Sequence, residues 1–307
     1  MKKCKKLYIF ENFINRFKLN FKPIIKSTLK ISGAVFTIIS IVFVFFSWDD
    51  FHIDSRKDRL LILFSFAIMS IILSLIYIFL IKRSRLIWKK GSAAIRVEYG
   101  DILKRTLIQR LFNNNKKIYV IPVNTCFDTI VDSNLVNVKL PLVSPNSVHG
   151  KWIEKMRKLN YSAEDLDLKI GKYLCDQNIS FNILKNKSRG NTLEYPFGTI
   201  AIVEGNDEES YFLLAISRFD ENNVADSNEE KLKYCVESLI DFYRVHSQGY
   251  DLYIPLMGTD LSGAGLSHFD SLDLISSILK VNNKKLRGEI HVVIYKEDKD
   301  RVSIFDI

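Results

Sequence analysis

The sequence predicts an α/β protein in which a two-helix transmembrane hairpin precedes a domain with a mixed sheet between layers of helices. Two long apolar runs in the first 81 residues carry no charged side chain. After residue 94, short apolar runs typical of strands alternate with amphipathic helical stretches, and one hairpin signal interrupts them. A glycine-rich loop joins one of these strands to the helix after it. Together these features predict an α/β fold.

The two apolar runs, Ile31–Trp48 and Leu60–Ile81, predict membrane spans. The second would extend about 33 Å as a helix, enough to cross a bilayer core of about 30 Å. Ile24 and Ile25 can extend the first if the nearby lysines snorkel. A cleaved signal peptide would not have some thirty residues ahead of its apolar run and a second span soon after it.

Charge predicts how the hairpin is oriented. Residues 1–30 hold nine Lys or Arg against one Glu, and five basic residues follow the second span. Basic flanks stay in the cytoplasm, so we expect a plasma-membrane (inner-membrane) protein with both termini cytoplasmic. We divide the chain into a basic segment at 1–30, the hairpin with its basic flank at 31–90, and a ligand-binding domain at 91–307.

The net charge of +9 belongs to the membrane-proximal part. Residues 1–90 carry 17 basic and 5 acidic groups, whereas the rest carries 27 basic and 30 acidic groups. The soluble part lacks the basic surface of a nucleic-acid binder, and the basic flank suits anionic lipid. Four scattered cysteines and five scattered histidines show no zinc spacing, so we expect no metal or cofactor.

The elements follow in order. Residues 1–30 predict an amphipathic helix on the inner leaflet or an unstructured tail, and Gly91–Ala94 a short joint. Strands are predicted at 95–99, 118–123, 198–203, 211–217, 252–256 and 290–295, with an edge strand at 302–305. Helices are predicted at 103–112, 149–159, 162–178, 229–246 and 266–279. Ser162 is expected to cap the third, and Ser267 with Asp270 to form a capping box on the last.

The glycine-rich loop Met257–Gly265 lies between a strand and a helix. Its three glycines allow backbone N–H groups to approach an anion near the positive end of the helix. Leu266 stands where a P-loop has lysine, and the GxGxxG spacing is absent. A plain turn, whose glycines only supply positive φ, is the alternative.

Three motifs in order resemble those of macro domains: Gly100-Asp101-Ile102, a strand ending at Asn124, and the strand, glycine loop and helix around Gly258–Leu266. The resemblance covers residues 94–295 and implies binding of ADP-ribose at the carboxyl ends of the strands. It also implies that the Asp101 carboxylate accepts a hydrogen bond from the adenine amino group. Asn124 would lie near the distal ribose, and the glycine loop would cover the diphosphate.

The sequence also departs from enzymatic macro domains, because no second Asn and glycine run follow Asn124. With Ser144–Gly150 and the hairpin, it looks like the membrane-anchored macro-domain effectors of Thoeris antiviral systems. The resemblance implies that a TIR-domain partner makes histidine-ADP-ribose from NAD. It further implies that the effector binds this signal, oligomerises and damages the membrane, with cell death or growth arrest as the expected result.

The predicted ligand-binding residues are Asp101, Ile102, Asn124, Thr125, Cys126, Phe127, Asp128, Ser147, His149, Gly150, Gly258, Thr259, Asp260, Leu261, Ser262, Gly263, Ala264, Gly265 and Leu266. His149 is either a reader of the added histidine carboxylate or a capping and packing residue. Cys126 is interpreted as a buried thiol rather than a nucleophile. We expect no enzymatic activity. The alternatives are a membrane-tethered ADP-ribosyl hydrolase that uses Asn124 and Asp128, and a reader of ADP-ribosylated proteins.

Overall fold

A computed structural model describes residues 2–53, 55–104, 116–132, 141–187, 189–206, 208–219, 225–259 and 263–307. The chain forms two compact units. The helical unit contains Met1–Arg85 and Asp300–Asp306, and the sheet unit contains Leu86–Lys299 and Ile307. The predicted helix at 103–112 falls almost entirely on 105–115, outside the described residues.

The helical unit is built from three helices, α1 (Lys2–Leu19), α2 (Phe21–Phe45) and α3 (Arg56–Ile76). A π-helical stretch, Tyr77–Ile81, continues α3. By length and composition, α2 and the continuous helix Arg56–Ile81 can each cross a membrane. Helix α2 begins at Phe21, ten residues before the predicted span, so Ile24 and Ile25 belong to the same helix; their place in a membrane stays a prediction. Residues 2–19 are helical rather than unstructured; their place on the inner leaflet stays a prediction.

Polar contacts fasten the helical unit internally. The Ser74 hydroxyl donates to the carbonyl of Ile24 across 3.0 Å, joining α3 to α2. The buried Ser303 hydroxyl donates to Asn20 Oδ1 across 2.6 Å, next to the buried Val302 and Ile304. The edge strand predicted at 302–305 is therefore wrong. This segment is irregular, and the side chains of Asn20 and Arg85 bind it in place of a backbone ladder.

The sheet unit holds a mixed sheet, as predicted. Its strands are β1 (Ser84–Lys90), β2 (Ala93–Gly100), β3 (Lys117–Asn124), β6 (Ile200–Asn206), β7 (Glu209–Phe219), β8 (Ala225–Asp226), β9 (Asp251–Pro255) and β10 (Glu289–Tyr295). A separate two-strand pair contains β4 (Asn182–Ile183) and β5 (Leu193–Glu194). The main order is β1-β2-β10-β9-β3-β7-β6, with β8 beside β7. Strands β2, β10, β9, β3 and β7 run parallel, and β6 pairs antiparallel with β7.

The basic stretch after the second span contains a strand that was not predicted from the sequence. Ser84–Lys90 forms β1 beside β2, and the place of this stretch at the membrane stays a prediction. The expected joint at Gly91–Ala94 is instead a tight turn followed by the start of β2, and Gly91 adopts a φ of 61° in that turn. The strand lies at the edge of the sheet, and its basic residues Arg85, Lys89 and Lys90 are of the kind that protects an edge strand from pairing with another chain.

Helices cover both faces of the sheet. Helices α4 (Val148–Arg157) and α5 (Ala163–Asp176) pack on one face. Helices α6 (Glu229–His246) and α7 (His268–Val281) contact β7 and β10. Ser162 forms the predicted cap, and the Ser267 hydroxyl accepts from the backbone N–H of Asp270 across 3.1 Å. The result is a three-layer α/β/α unit.

Candidate ligand-binding site

A cavity of about 530 Å³ opens where the parallel strands end. Its lining includes Gly100 of β2, Asn124 of β3, Ser217 of β7, Pro255 of β9 and Tyr295 of β10. Parallel strands bring their carboxyl ends to one edge of the sheet, where α/β folds place ligands. Small-molecule sites in proteins commonly occupy about 300–1,000 Å³. The cavity therefore has the position and the size of a ligand site.

The first predicted motif lies at this cavity. Asp101 and Ile102 both contribute to the lining. Asp101 Oδ1 accepts a hydrogen bond from the backbone N–H of Leu103 across 3.2 Å, so the side chain does stabilise its own turn. Oδ2 lies 3.7 Å from Nζ of the exposed Lys104. A carboxylate has about four acceptor positions, so Asp101 keeps capacity for a donor from a ligand.

The loop after β3 turns away from the cavity. Asn124 lines it, but its amide donates to Asp128 Oδ2 across 2.9 Å, and its Oδ1 accepts from the backbone N–H of Asp128 across 3.1 Å. Phe127 has a φ of 52°, which turns the chain inward. Thr125, Cys126, Phe127 and Asp128 are buried outside the lining. Their predicted ligand contact has no support from their position.

Asp128 joins two loops through buried contacts with Lys187 and Asn191, which we call the Asp128 clamp. The sequence did not reveal this clamp. Lys187 Nζ lies 2.7 Å from Asp128 Oδ2, and the backbone N–H of Asn191 donates to Oδ1 across 2.6 Å. The Asn191 amide also donates to Asp167 Oδ1 across 2.9 Å. Burial raises the pKa of Asp128 above its ordinary value despite the opposing effect of Lys187.

Burial likewise raises the pKa of the Cys126 thiol, which disfavours a thiolate.

Residues at the start of α4 form another part of the cavity lining. Ser147 caps the helix by accepting from the backbone N–H of Gly150 across 3.0 Å, and it donates to the carbonyl of Ser144 across 2.7 Å. Gly150 lies outside the lining; a Cβ there would come within 2.2 Å of the Ser144 carbonyl oxygen. Ser147 and His149 do line the cavity.

His149 is buried and stacks on Trp152, with ring centroids 6.1 Å apart. Burial lowers its pKa to about 3, so the imidazole is neutral at physiological pH. A neutral imidazole can exchange hydrogen bonds with a carboxylate but cannot pair with it as a cation. Two residues further along α4, Lys151 also lines the cavity, with Nζ 4.6 Å from the centre of the Tyr295 ring.

The glycine loop closes the site beside α7. Gly258, Thr259 and Gly263 line the cavity, whereas Ala264, Gly265 and Leu266 do not; Asp260, Leu261 and Ser262 lie outside the described residues. The backbone N–H of Leu266 donates to the carbonyl of Gly258 across 3.0 Å and closes the loop.

The Ser271 hydroxyl fastens this loop to α7. It accepts from the backbone N–H of Met257 across 3.1 Å and donates to the carbonyl of the same residue across 2.6 Å. The loop is therefore held close to the N-terminus of α7, where backbone N–H groups favour an anion.

Several lining residues were not predicted. They include Pro122, Leu142, Val143, Lys151, Ile216, Ser217, Phe219, Met257, His268, Tyr295 and Asp298. Tyr295 could have been predicted as a lining residue, because it ends a predicted strand as Gly100 does, and the two residues pair in the register of β10 and β2. Nothing in the sequence marks Leu142 or Ile216 as lining residues. Among the described residues, no group of three or more His, Cys, Asp or Glu side chains could hold a metal ion.

Comparison with known proteins agrees with this architecture. The family model of the macro domain of the Thoeris protein ThsA matches residues 95–295. The Thoeris protein ThsA of Bacillus amyloliquefaciens (strain Y2) is 23% identical over 309 residues, covering 96% of this chain and 94% of that protein.

Solved macrodomain structures are more distant. The Oceanobacillus iheyensis macrodomain with ADP has a TM-score of 0.40 and 13% identity, covering 71% of this chain and 90% of that chain. A macrodomain protein from Streptomyces coelicolor has a TM-score of 0.36 and 10% identity, covering 66% and 97% respectively. The family match extends over most of the chain, and this protein belongs to the family of the Thoeris protein ThsA macro domain.

Proposed function

We propose that this protein is a membrane effector of antiphage defence whose sheet unit binds an ADP-ribose-type signal. The observation that carries the proposal is the cavity of about 530 Å³ at the ends of five parallel strands, bordered by Asp101 and the glycine loop. Asp101 supplies an acceptor at one part of the lining, and Gly258, Thr259 and Gly263 supply a close backbone at another. An adenine amino group and a diphosphate have the matching chemistry.

Binding without hydrolysis is favoured by the state of Asn124 and Asp128. A general base must come within hydrogen-bond reach of the water or group that it deprotonates. The Asp128 side chain is fully buried and already holds Lys187, Asn191 and Asn124. The hydrolase alternative would require this clamp to open before Asp128 could meet a substrate, and the Asn124 amide is already hydrogen-bonded to Asp128. We therefore assign Asp128 a structural role.

In this proposal the transmembrane hairpin carries the effect of ligand binding to the membrane. Helices α2 and α3 are long and apolar enough to span it. A ligand shifts assembly only through its different affinities for the separate and assembled states. In the proposed scheme a TIR-domain partner makes histidine-ADP-ribose from NAD, the loaded sheet units associate, and the gathered hairpins disrupt the plasma membrane.

Calorimetry on the full-length protein in detergent micelles tests the binding step, with ADP-ribose as the probe. Asp101→Ala should weaken binding by about tenfold or more, because a hydrogen bond to a charged group contributes about 1.5–3 kcal/mol. Asp176→Ala, at the exposed end of α5, removes the same charge elsewhere and should bind like the parent protein. Equal affinity of the Asp101 variant and the parent would contradict the proposed site.

Two further measurements test the output and the alternative. Addition of histidine-ADP-ribose to the parent protein should increase the scattered light, because the protein assembles, and should release dye from loaded vesicles. Neither signal should change with Asp101→Ala. Incubation with an ADP-ribosylated protein should release no ADP-ribose. Release by the parent but not by Asp128→Asn would instead establish the hydrolase.

A further inference from the structure

Three lysines form a row along the first half of α2. Lys22, Lys26 and Lys30 are spaced four residues apart, which places them on neighbouring positions of one helix face. All three are exposed, as are Ile25 and Leu29 between them. These five residues, which we call the lysine row, form one exposed strip of the helix surface. The strip therefore combines three ammonium groups with two apolar side chains between them.

Protein groups do not neutralise these lysines within the described part of the chain. Helix α2 contains no acidic residue, and no hydrogen bond or ion pair joins the three ammonium groups to a described residue. Two arginines of the helical unit are different. Arg16 donates to the carbonyl of Phe79 across 3.2 Å, and the Arg85 guanidinium lies 5.7 Å from the centre of the Phe305 ring. The lysine row is thus a set of charges available to an external anion.

The length of α2 fixes the depth at which that anion must lie. The uncharged part of the helix, Ile31–Phe45, extends only about 22 Å, less than a hydrocarbon core of about 30 Å. Lys30 and Lys26 therefore have to reach the headgroup layer by snorkelling, while their stems stay against apolar neighbours. The anions present at that depth are lipid phosphates.

We infer that the lysine row is a binding site for an anionic phospholipid. The lysine ammonium groups contact the lipid headgroup, with Lys acting as a point charge on phosphate. An acyl chain lies along Ile25 and Leu29. This inference rests on the proposed insertion of α2 and α3 in a membrane, and it adds a specific lipid to that function.

Native mass spectrometry of the full-length protein tests the site. The protein is reconstituted in an equal mixture of phosphatidylglycerol and phosphatidylcholine, extracted in mild detergent, and the ratio of the two retained lipids is measured. The parent protein should retain an excess of phosphatidylglycerol. Each single Lys→Gln change in the row should lower the ratio about fivefold, and the triple variant about a hundredfold, because each lysine near an anionic surface favours binding by roughly that factor.

A matched control changes Lys158, Lys172 and Lys233 to Gln, which removes three exposed charges from the sheet unit. Its lipid ratio should equal that of the parent, and added inorganic phosphate should not displace the lipid. An unchanged ratio in the row variant, or no preference in the parent, would refute the lipid site. Carbonate extraction of cell membranes separates the two proposals: loss of the parent protein from the pellet would refute membrane insertion itself, and the lipid site with it.

Discussion

At the scale of single residues, His149 shows how burial selects a protonation state. Its side chain lies between the cavity and Trp152, and burial lowers its pKa from 6.5 to about 3. The native protein therefore binds fewer protons than the unfolded chain between these two pH values. Stability contributed in this way is fully present above pH 6.5 and is lost as the pH falls.

His149→Gln tests this directly. Between pH 6.5 and 3 the parent protein should lose about 1.4 kcal/mol of stability per pH unit more than the variant, because a shift of one pKa unit corresponds to that energy. The measurement is the difference in apparent Tm between the two proteins as a function of pH, in detergent micelles. Parallel pH profiles would show that His149 is protonated in the folded protein. The comparison of slopes removes the loss of packing on Trp152, which is the same at every pH.

Two loop glycines make a second residue-scale prediction. Gly263 has a φ of 77°, and a Cβ there would come within 2.2 Å of the carbonyl oxygen of Ala225. Gly265 has a φ of 67° but open space around the same position. Gly265→Ala should cost about 1–2 kcal/mol from the backbone alone. Gly263→Ala should lower Tm further and weaken ADP-ribose binding, because the loop must shift. Equal Tm values would contradict the close approach of Gly263 to Ala225.

At the scale of elements, local signals located most helices and strands. Helix α6 occupies the predicted residues 229–246, because its apolar positions recur at helical spacing and Asn228 caps it. Strand β1 was missed because Lys and Arg beside an apolar span also indicate a membrane flank. The sequence predicted that Asn124 ends a strand at the ligand site, but it did not predict the hydrogen bonds of its side chain. Asn124 was expected to contact ligand, yet its amide donates to Asp128.

The clamp around Asp128 could not be predicted, because Lys187 is 59 residues distant in sequence. Lys187→Met should destabilise the protein by about 3 kcal/mol, since it leaves a buried carboxylate without its cation. Lys185→Met, an exposed neighbour, is the matched control and should be close to neutral. Adding Asp128→Asn to the first change should recover part of the loss. Chemical denaturation measures all four proteins, and a Lys187 variant as stable as its control would contradict the clamp.

At the scale of the whole molecule, the cavity and the apolar helices lie in different units of the chain. Every lining residue within the described part of the chain belongs to the sheet unit. The helical unit supplies the two apolar helices. The basic excess of the sequence ends near residue 90, close to the division after Arg85. The docking of Asp300–Asp306 within the helical unit was not predicted, since it depends on buried contacts such as Ser303 with Asn20.

The proposed orientation is tested by cysteine labelling in intact cells. Lys57→Cys places a thiol on the exposed first turn of α3, between the two spans, and should react with a membrane-impermeant reagent. The native Cys175 is exposed on the sheet unit and serves as the internal control. It should react only after lysis, because the sheet unit is expected in the cytoplasm. Reaction of Cys175 in intact cells would reverse the orientation.

The split of the helical unit along the chain also sets an order of events during synthesis. Arg85 leaves the ribosome roughly 200 residues before Asp300, and at about 5–20 residues per second this separates them by about 10–40 s. The apolar helices are thus made well before Ser303 can reach Asn20. The helical unit reaches its final packing only after the whole sheet unit has been translated, so a hairpin without a translated sheet unit stays incomplete.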